Sequence, residues 1–191
     1  MSARSEAAGA RASLSAVHRL AWISIMAALT AAGGAVAIPV NPLSPVPITM
    51  QTLFVLLSGL ILGPKAGAAS SGLYLLAGIV GLPVFAGGKG GLAVLIGPTG
   101  GFLIGFPLAS AISGLAKRIP PPSYPVIWAF CLLATAVTLG LGAVWLSESL
   151  DIGLKKALAA GVLPFIPGGL LKIAAAGAVY RFMAKKRLLP F

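Results

Sequence analysis

Acidic residues are what this sequence has least of: Glu6, Glu148 and Asp151 are its only three in 191 residues, against 14 Lys and Arg. No apolar stretch contains an acid pair, so general acid–base catalysis by paired carboxylates has no residues to work with there. Cys131 and His18 are each the single residue of their kind. One thiol makes no internal disulfide, and in an apolar run it reads as a buried, inert side chain. His18 has no second His or Cys nearby, so no metal site is expected. A phosphate loop is also missing: neither GGKGG nor GPTGG fits GxxxxGK[ST], and no predicted strand precedes them.

What fills the chain instead is apolar. It is 58% hydrophobic and 9% charged, with 25 glycines and a mean hydropathy of +1.02. A soluble domain of this size is never so apolar, so this is an integral membrane protein. Uncharged runs of about 18 or more residues are candidate spans; 20–38 and 126–147 are unbroken. The others are punctuated. Gln51–Leu62 is short and ends at Gly63-Pro64, 66–82 follows at once, 91–116 is interrupted by GPTGG, and 157–180 carries the break PFIP. The expected fold is an all-α integral membrane protein, a compact bundle of six transmembrane helices, with short loops joining antiparallel neighbours. Residues 1–18, rich in Ser, Ala and Arg without an apolar core, are expected to be a disordered cytoplasmic tail, and 19–187 a single membrane domain.

The net charge of +11 is topology rather than a nucleic-acid footprint. With six spans, Arg4, Arg11, Arg19, Lys65, Lys117, Arg118, Arg181, Lys185, Lys186 and Arg187 fall on one side, and Lys89, Lys155 and Lys156 on the other. The positive-inside rule then puts both termini in the cytoplasm. A basic face also suits anionic lipid headgroups.

Lys172 remains, the only charge inside any long apolar stretch. It sits in PGGLLKIAAAG, and its i−3 and i−4 neighbours are Gly169 and Gly168, so no acid pairs with it on its own helix. An ionisable residue at membrane depth is a functional-site hypothesis. With Pro167 in the first helical turn, Lys172 lies about 7 Å further in. The helix N-terminus adds partial positive charge, and the glycines leave room for a small anion such as a carboxylate. Alternatively, Lys172 snorkels to the headgroups while the Gly/Ala face packs on a neighbour.

Two outer segments offer further candidates. In VPITMQT, Thr49, Gln51 and Thr52 follow a Pro-restrained stretch. A Gln amide supplies donor and acceptor from one side chain, as a polar ring requires, although Thr49 also suits a helix cap. In GLPVFAGGKGGLAVLIGPTGG, Phe85, Lys89 and Thr99 stand among glycines that permit close backbone approach or a lid. Tyr74 and Phe102 are candidate aromatic walls. Along the first helix small residues recur four apart, Ala27 with Ala31 and Ala28 with Ala32, which suits either internal packing or docking to another membrane protein. A membrane enzyme is the competing class, but the spans offer only Ser, Thr, Cys131 and Lys172 as reactive groups, and no serine lies within four residues of Lys172.

Taken in order, PVPITMQTL, then LGPKAGAASSGLYLLAGIVGLPVFAGGKGGLAVLIGPTGGFLIGFPLA, then FIPGGLLK resembles BioY, the biotin-binding S component of energy-coupling factor (ECF) transporters. The resemblance covers nearly all of the membrane domain. It implies a substrate-capture protein of the prokaryotic cytoplasmic membrane, with biotin in an outward-facing pocket and no catalytic residues. It further implies a transmembrane T component and two ABC-type ATPase subunits as partners; these hydrolyse the ATP, this chain carries no cofactor, and the bundle topples on the T component to release the vitamin. Ala27 and Ala31 map onto the family's AxxxA contact with that component. The family's ligand site is built from the first outer loop, the Gly-rich outer segment and the start of the sixth helix; joined with the candidates read from the residues, the expected ligand site is Lys172, Gly169, Gln51, Thr49, Tyr74, Phe85, Lys89 and Thr99. The family's sixth-helix motif looks like PGDLLK, with Asp and Lys both directed at the vitamin; here it reads PGGLLK, and Gly169 supplies no acceptor. An S component for another small vitamin or carboxylic acid is the alternative function.

Overall fold

Proline and glycine decide where the helices begin and end. The computed structural model describes residues 2–119 and 122–190, with backbone only over 2–15. Its helices are α1 (Ser2–Ala35), α2 (Gln51–Leu62), α3 (Pro64–Ile79), α4 (Leu92–Ile96), α5 (Gly100–Gly114), α6 (Tyr124–Leu150), α7 (Gly153–Gly161) and α8 (Ile166–Lys185). Gly63, at φ 82°, closes α2 and opens α3 at the same residue; a positive φ costs a glycine little. Prolines stand in the first turns of α3, α6 and α8, where a missing N–H does no harm. The break at GPTGG separates α4 from α5, and the break at PFIP becomes a 3-10 turn before α8.

Six helices, α1, α2, α3, α5, α6 and α8, form the transmembrane bundle; the short α4 and α7 lie between spans. Segments of α1, α5, α6 and α7–α8 are long and apolar enough to cross a membrane. α2 has 12 residues, about 18 Å of helix, less than the hydrocarbon thickness. It is instead the buried axis of the bundle, packed by α1, α3, α5 and α8, where its ends can meet protein rather than lipid. Apolar side chains such as Leu76, Val80, Leu133 and Phe182 point outward, as a lipid-facing surface requires.

The helices alternate in direction. At one end Met50 N donates to Gly33 O, Gly91 N to Gly78 O, and Trp145 Nε1 to Gly97 O, joining the end of α1 to the start of α2 and the ends of α3 and α6 to the α4–α5 region. At the other end Lys117 Nζ donates to Ile61 O, and Arg181 to Pro122 O while stacking 4.7 Å over Tyr124. That second end carries Lys65, Lys117, Arg118, Arg181, Lys185, Lys186 and Arg187.

Small residues let α2, α3 and α5 approach closely. A Cβ on Gly67 would lie 2.8 Å from Gly59 Cα and 2.7 Å from Ser110 Oγ, so α3 has no room for alanine there. Ser58 and Ser110 hydroxyls meet at 2.6 Å across the α2–α5 crossing, and Ser113 Oγ donates to Leu56 O. Small and hydroxyl-bearing residues pack membrane helices in this way.

One element departs from expectation. The Pro-rich segment after α1 is a β-hairpin, β1 (Ala37–Val40) against β2 (Ser44–Thr49), with Ala37 opposite Thr49 and Ile38 opposite Ile48. The described backbone is helical from Ser2 as part of α1, in keeping with the high helix propensity of Ala and Arg.

Candidate functional site

The end of the bundle that carries the hairpin encloses a cavity of about 430 Å³, within the range of small-molecule sites. Its walls come from β2, the start of α2, the 85–89 turn, the α4–α5 joint, α6 and the start of α8. Apolar surface is supplied by residues such as Val46, Leu103, Phe102, Phe106 and Phe165.

Lys172 lines this cavity, and its charge is held from across the bundle. Its Nζ donates to Thr49 O at 2.5 Å and to Thr52 Oγ1 at 3.0 Å. Thr49 ends β2 and Thr52 stands in the first turn of α2, both far away in sequence, so the lysine that lacks an acid on its own helix is held by neutral oxygens. An ammonium has three donors, and these two bonds leave the third N–H. Among the described residues no carboxylate pairs with Lys172, and no group of three His, Cys, Asp or Glu is placed to hold a metal.

Thr49 does a second job. Its Oγ1 donates to Gln51 Oε1 at 3.0 Å, and Gln51 Nε2 donates to the Tyr74 hydroxyl. Gln51 is buried, and it fits because Gly34 has no side chain: a Cβ there would lie 2.9 Å from Gln51 Nε2 and from Val84 O. The first turn of α2 is thus fixed by α1, α3 and α8 together.

The Gly-rich segment folds into a tight turn in which Phe85 N donates to Lys89 O at 2.8 Å and Gly88 N to Phe85 O. Gly87 and Gly88 both have φ 72°, which only glycine adopts without strain. Gly87 N donates to Gly34 O, docking the turn on the end of α1. Phe85 is buried beneath it and meets Tyr74 edge-on, ring centroids 5.6 Å apart at 76°, a favoured aromatic geometry. Gly78 makes this possible, since a Cβ there would run into the Phe85 ring. Lys89 is exposed at the cavity rim, and Thr99 Oγ1 bonds back to Val94 O at 3.3 Å.

Thr49, Gln51, Phe85, Lys89, Thr99, Gly169 and Lys172 therefore all line one cavity. Tyr74 does not: it stands one layer behind, supporting Gln51 and packing on Phe85 and Phe106, so the expected aromatic wall is supplied by Phe85 and Phe102. Thr135 and Thr138 of α6 line it too. The sequence gives one weak signal for them, two hydroxyls three residues apart on one face of an otherwise apolar run.

The alanines expected to meet a partner face inward. Ala27 is buried in the bundle core and Ala31 packs against it half-buried. Ala28 and Ala32, with the same spacing on the adjacent face, are exposed. In an Ala-rich helix the residues themselves do not mark which face is inside.

Comparison with known proteins agrees with this architecture. The chain is 40% identical over 154 residues to a probable biotin transporter BioY of Pyrococcus horikoshii, covering 81% of this chain and 88% of the relative. It is 36% identical to the biotin transporter BioY of Thermotoga maritima, covering 85% and 94%. A solved structure, the S-component for biotin from an ECF-type ABC transporter, superposes with a TM-score of 0.81 at 31% identity, covering 88% of this chain and 92% of that one. The BioY family model matches residues 4–188, and with that match the chain belongs to the BioY family.

Proposed function

We propose that this chain is the substrate-capture S component of a biotin uptake system, taking the vitamin into the cavity beside Lys172. The observation that carries the reading is the ammonium itself: it lines an apolar-walled cavity and, among the described residues, its hydrogen bonds go to neutral oxygens. A charge so placed attracts an anion or a strong acceptor far more than it would in water. Biotin offers a carboxylate and a ureido carbonyl at opposite ends. Gln51, held by Thr49 and Tyr74, presents an oriented amide, and Phe85 and Phe102 give the ring system apolar walls. The chain works as a transporter component and not as an enzyme, as its relatives do.

Orientation follows from charge. The cation-rich end lies in the cytoplasm with both termini, the cavity opens to the outside of the cytoplasmic membrane, and no cofactor is needed on this chain. Uptake then requires a transmembrane T component and two ABC-type ATPases that hydrolyse the ATP. Titration of purified protein with biotin is expected to give saturable one-to-one binding. No binding below the millimolar range, or tighter binding of an unrelated vitamin, overturns the biotin reading.

Partner docking falls on the exposed Ala28 and Ala32, where small side chains permit a close approach between helices. An Ala28→Trp, Ala32→Trp variant is expected to bind biotin normally yet lose its membrane partners in co-purification. Equal recovery of partners sinks the docking surface.

A further inference from the structure

Five threonines line the cavity, and four of their hydroxyls are engaged within the protein. Thr49 Oγ1 donates to Gln51 and Thr52 Oγ1 accepts from Lys172. Thr99 Oγ1 donates to Val94 O, and Thr138 Oγ1 to Ala134 O one helical turn back. Thr135 is the exception: among the described residues its hydroxyl has no hydrogen-bond partner. Thr138, three residues on, makes the back-bond to its own helix that is open to a helical threonine; Thr135 keeps its hydroxyl available.

Its surroundings give that hydroxyl a use. A Cβ on Gly169 would lie 3.7 Å from Thr135 Cγ2 and, beyond its own helix backbone, within 4 Å of no other described atom. Thr135 and Gly169 thus face one another across α6 and α8 with no side chain between them, one turn of α8 from Lys172. Lys172 is a donor only, and Gln51 Oε1 and Thr52 Oγ1 already accept from neighbours. A hydroxyl that donates can still accept, so Thr49, Thr99 and Thr138 keep lone pairs in fixed directions; among the described residues lining the cavity, Thr135 has the one threonine hydroxyl free in both roles and able to turn to an incoming N–H.

We infer that Thr135 is a ligand-contacting, specificity-determining residue, whose hydroxyl accepts a hydrogen bond from one ureido N–H of biotin in the space left open by Gly169. The inference rests on the biotin reading above and goes beyond it in naming the residue and the ligand atom. The hydroxyl can turn its own proton toward another acceptor, so it discriminates by geometry rather than charge.

The test is a set of biotin titrations on wild type, Thr135→Val and Thr135→Ser, repeated with biotin analogues methylated at one or the other ureido nitrogen. Valine keeps the shape and removes the hydroxyl; serine keeps the hydroxyl. Thr135→Val is expected to weaken biotin about three- to tenfold, the worth of one neutral hydrogen bond, and Thr135→Ser to stay near wild type. With one of the two analogues the difference between Val and Thr should vanish. If wild type binds and Thr135→Val binds equally, or Thr135→Ser weakens as much as Val, the assignment is overturned while the biotin reading stands. If wild type does not bind biotin at all, both fall.

Discussion

Gly169→Asp should tighten biotin binding by about 10- to 150-fold. A carboxylate there gives a ureido N–H a charge-assisted acceptor, worth about 1.5 to 3 kcal/mol. The site is ready to receive it. Beyond the helix's own backbone, the nearest atom to a new Cβ is the Thr135 methyl at 3.7 Å, which is ordinary contact, and position 169 already lines the cavity. It lies near the N-terminus of α8, where the helix macrodipole favours negative charge, and three residues from Lys172, on the same face of the helix. The added carboxylate thus gains a countercharge that keeps its own desolvation from cancelling the gain. Titration of the purified variant beside wild type is the measurement; a folded Gly169→Asp protein with equal or weaker affinity overturns the expectation. The same variant should also make Thr135→Val nearly harmless, because the ligand N–H would have a stronger partner.

Much of this architecture is legible in the sequence because glycine and proline act locally. Gly63-Pro64, GPTGG and PFIP break the helices where they break the apolar pattern, and charge placement orders the ends. Lys172, which lines the cavity, stands out in the sequence by its isolation alone. What sequence does not disclose is contact across the bundle. Thr49 O and Thr52 Oγ1 hold the lysine from the end of β2 and the start of α2, and no search of neighbouring helical positions reaches them. The hairpin is concealed by Pro39, Pro45 and Pro47, which argue against strands because proline cannot donate to a ladder; a two-stranded ribbon with free edges tolerates them. Tyr74 belongs to the right cluster but the wrong layer, since an aromatic in an apolar helix has no mark separating a wall from its support. Ala27 and Ala28 differ only by 100° of helical rotation, and in an all-small stretch nothing in the residues fixes that angle.

The strongest effect expected from removing a side chain is at Lys172. Lys172→Met keeps the length and apolar stem but removes the ammonium, and biotin affinity should fall at least about 100-fold. One part of that loss is the charged hydrogen bond to the ligand, about 1.5 to 3 kcal/mol. The rest is positional: without Nζ, Thr49 O and Thr52 Oγ1 lose their donor, and Thr49 is the residue whose hydroxyl fixes Gln51. Stability should move differently from affinity. Holding an ammonium with no countercharge at membrane depth is costly, and relief of that cost in Lys172→Met offsets the loss of the two part-buried hydrogen bonds to Thr49 O and Thr52 Oγ1. The unliganded variant should therefore melt at or slightly above the wild-type temperature in the same detergent, while the shift that biotin produces in wild type disappears. That split separates a ligand-binding lysine from a structural pin. A variant that binds biotin as wild type does removes Lys172 from the site, and one that melts far below wild type without ligand makes the lysine a tie between α8 and α2 whose purpose is the fold.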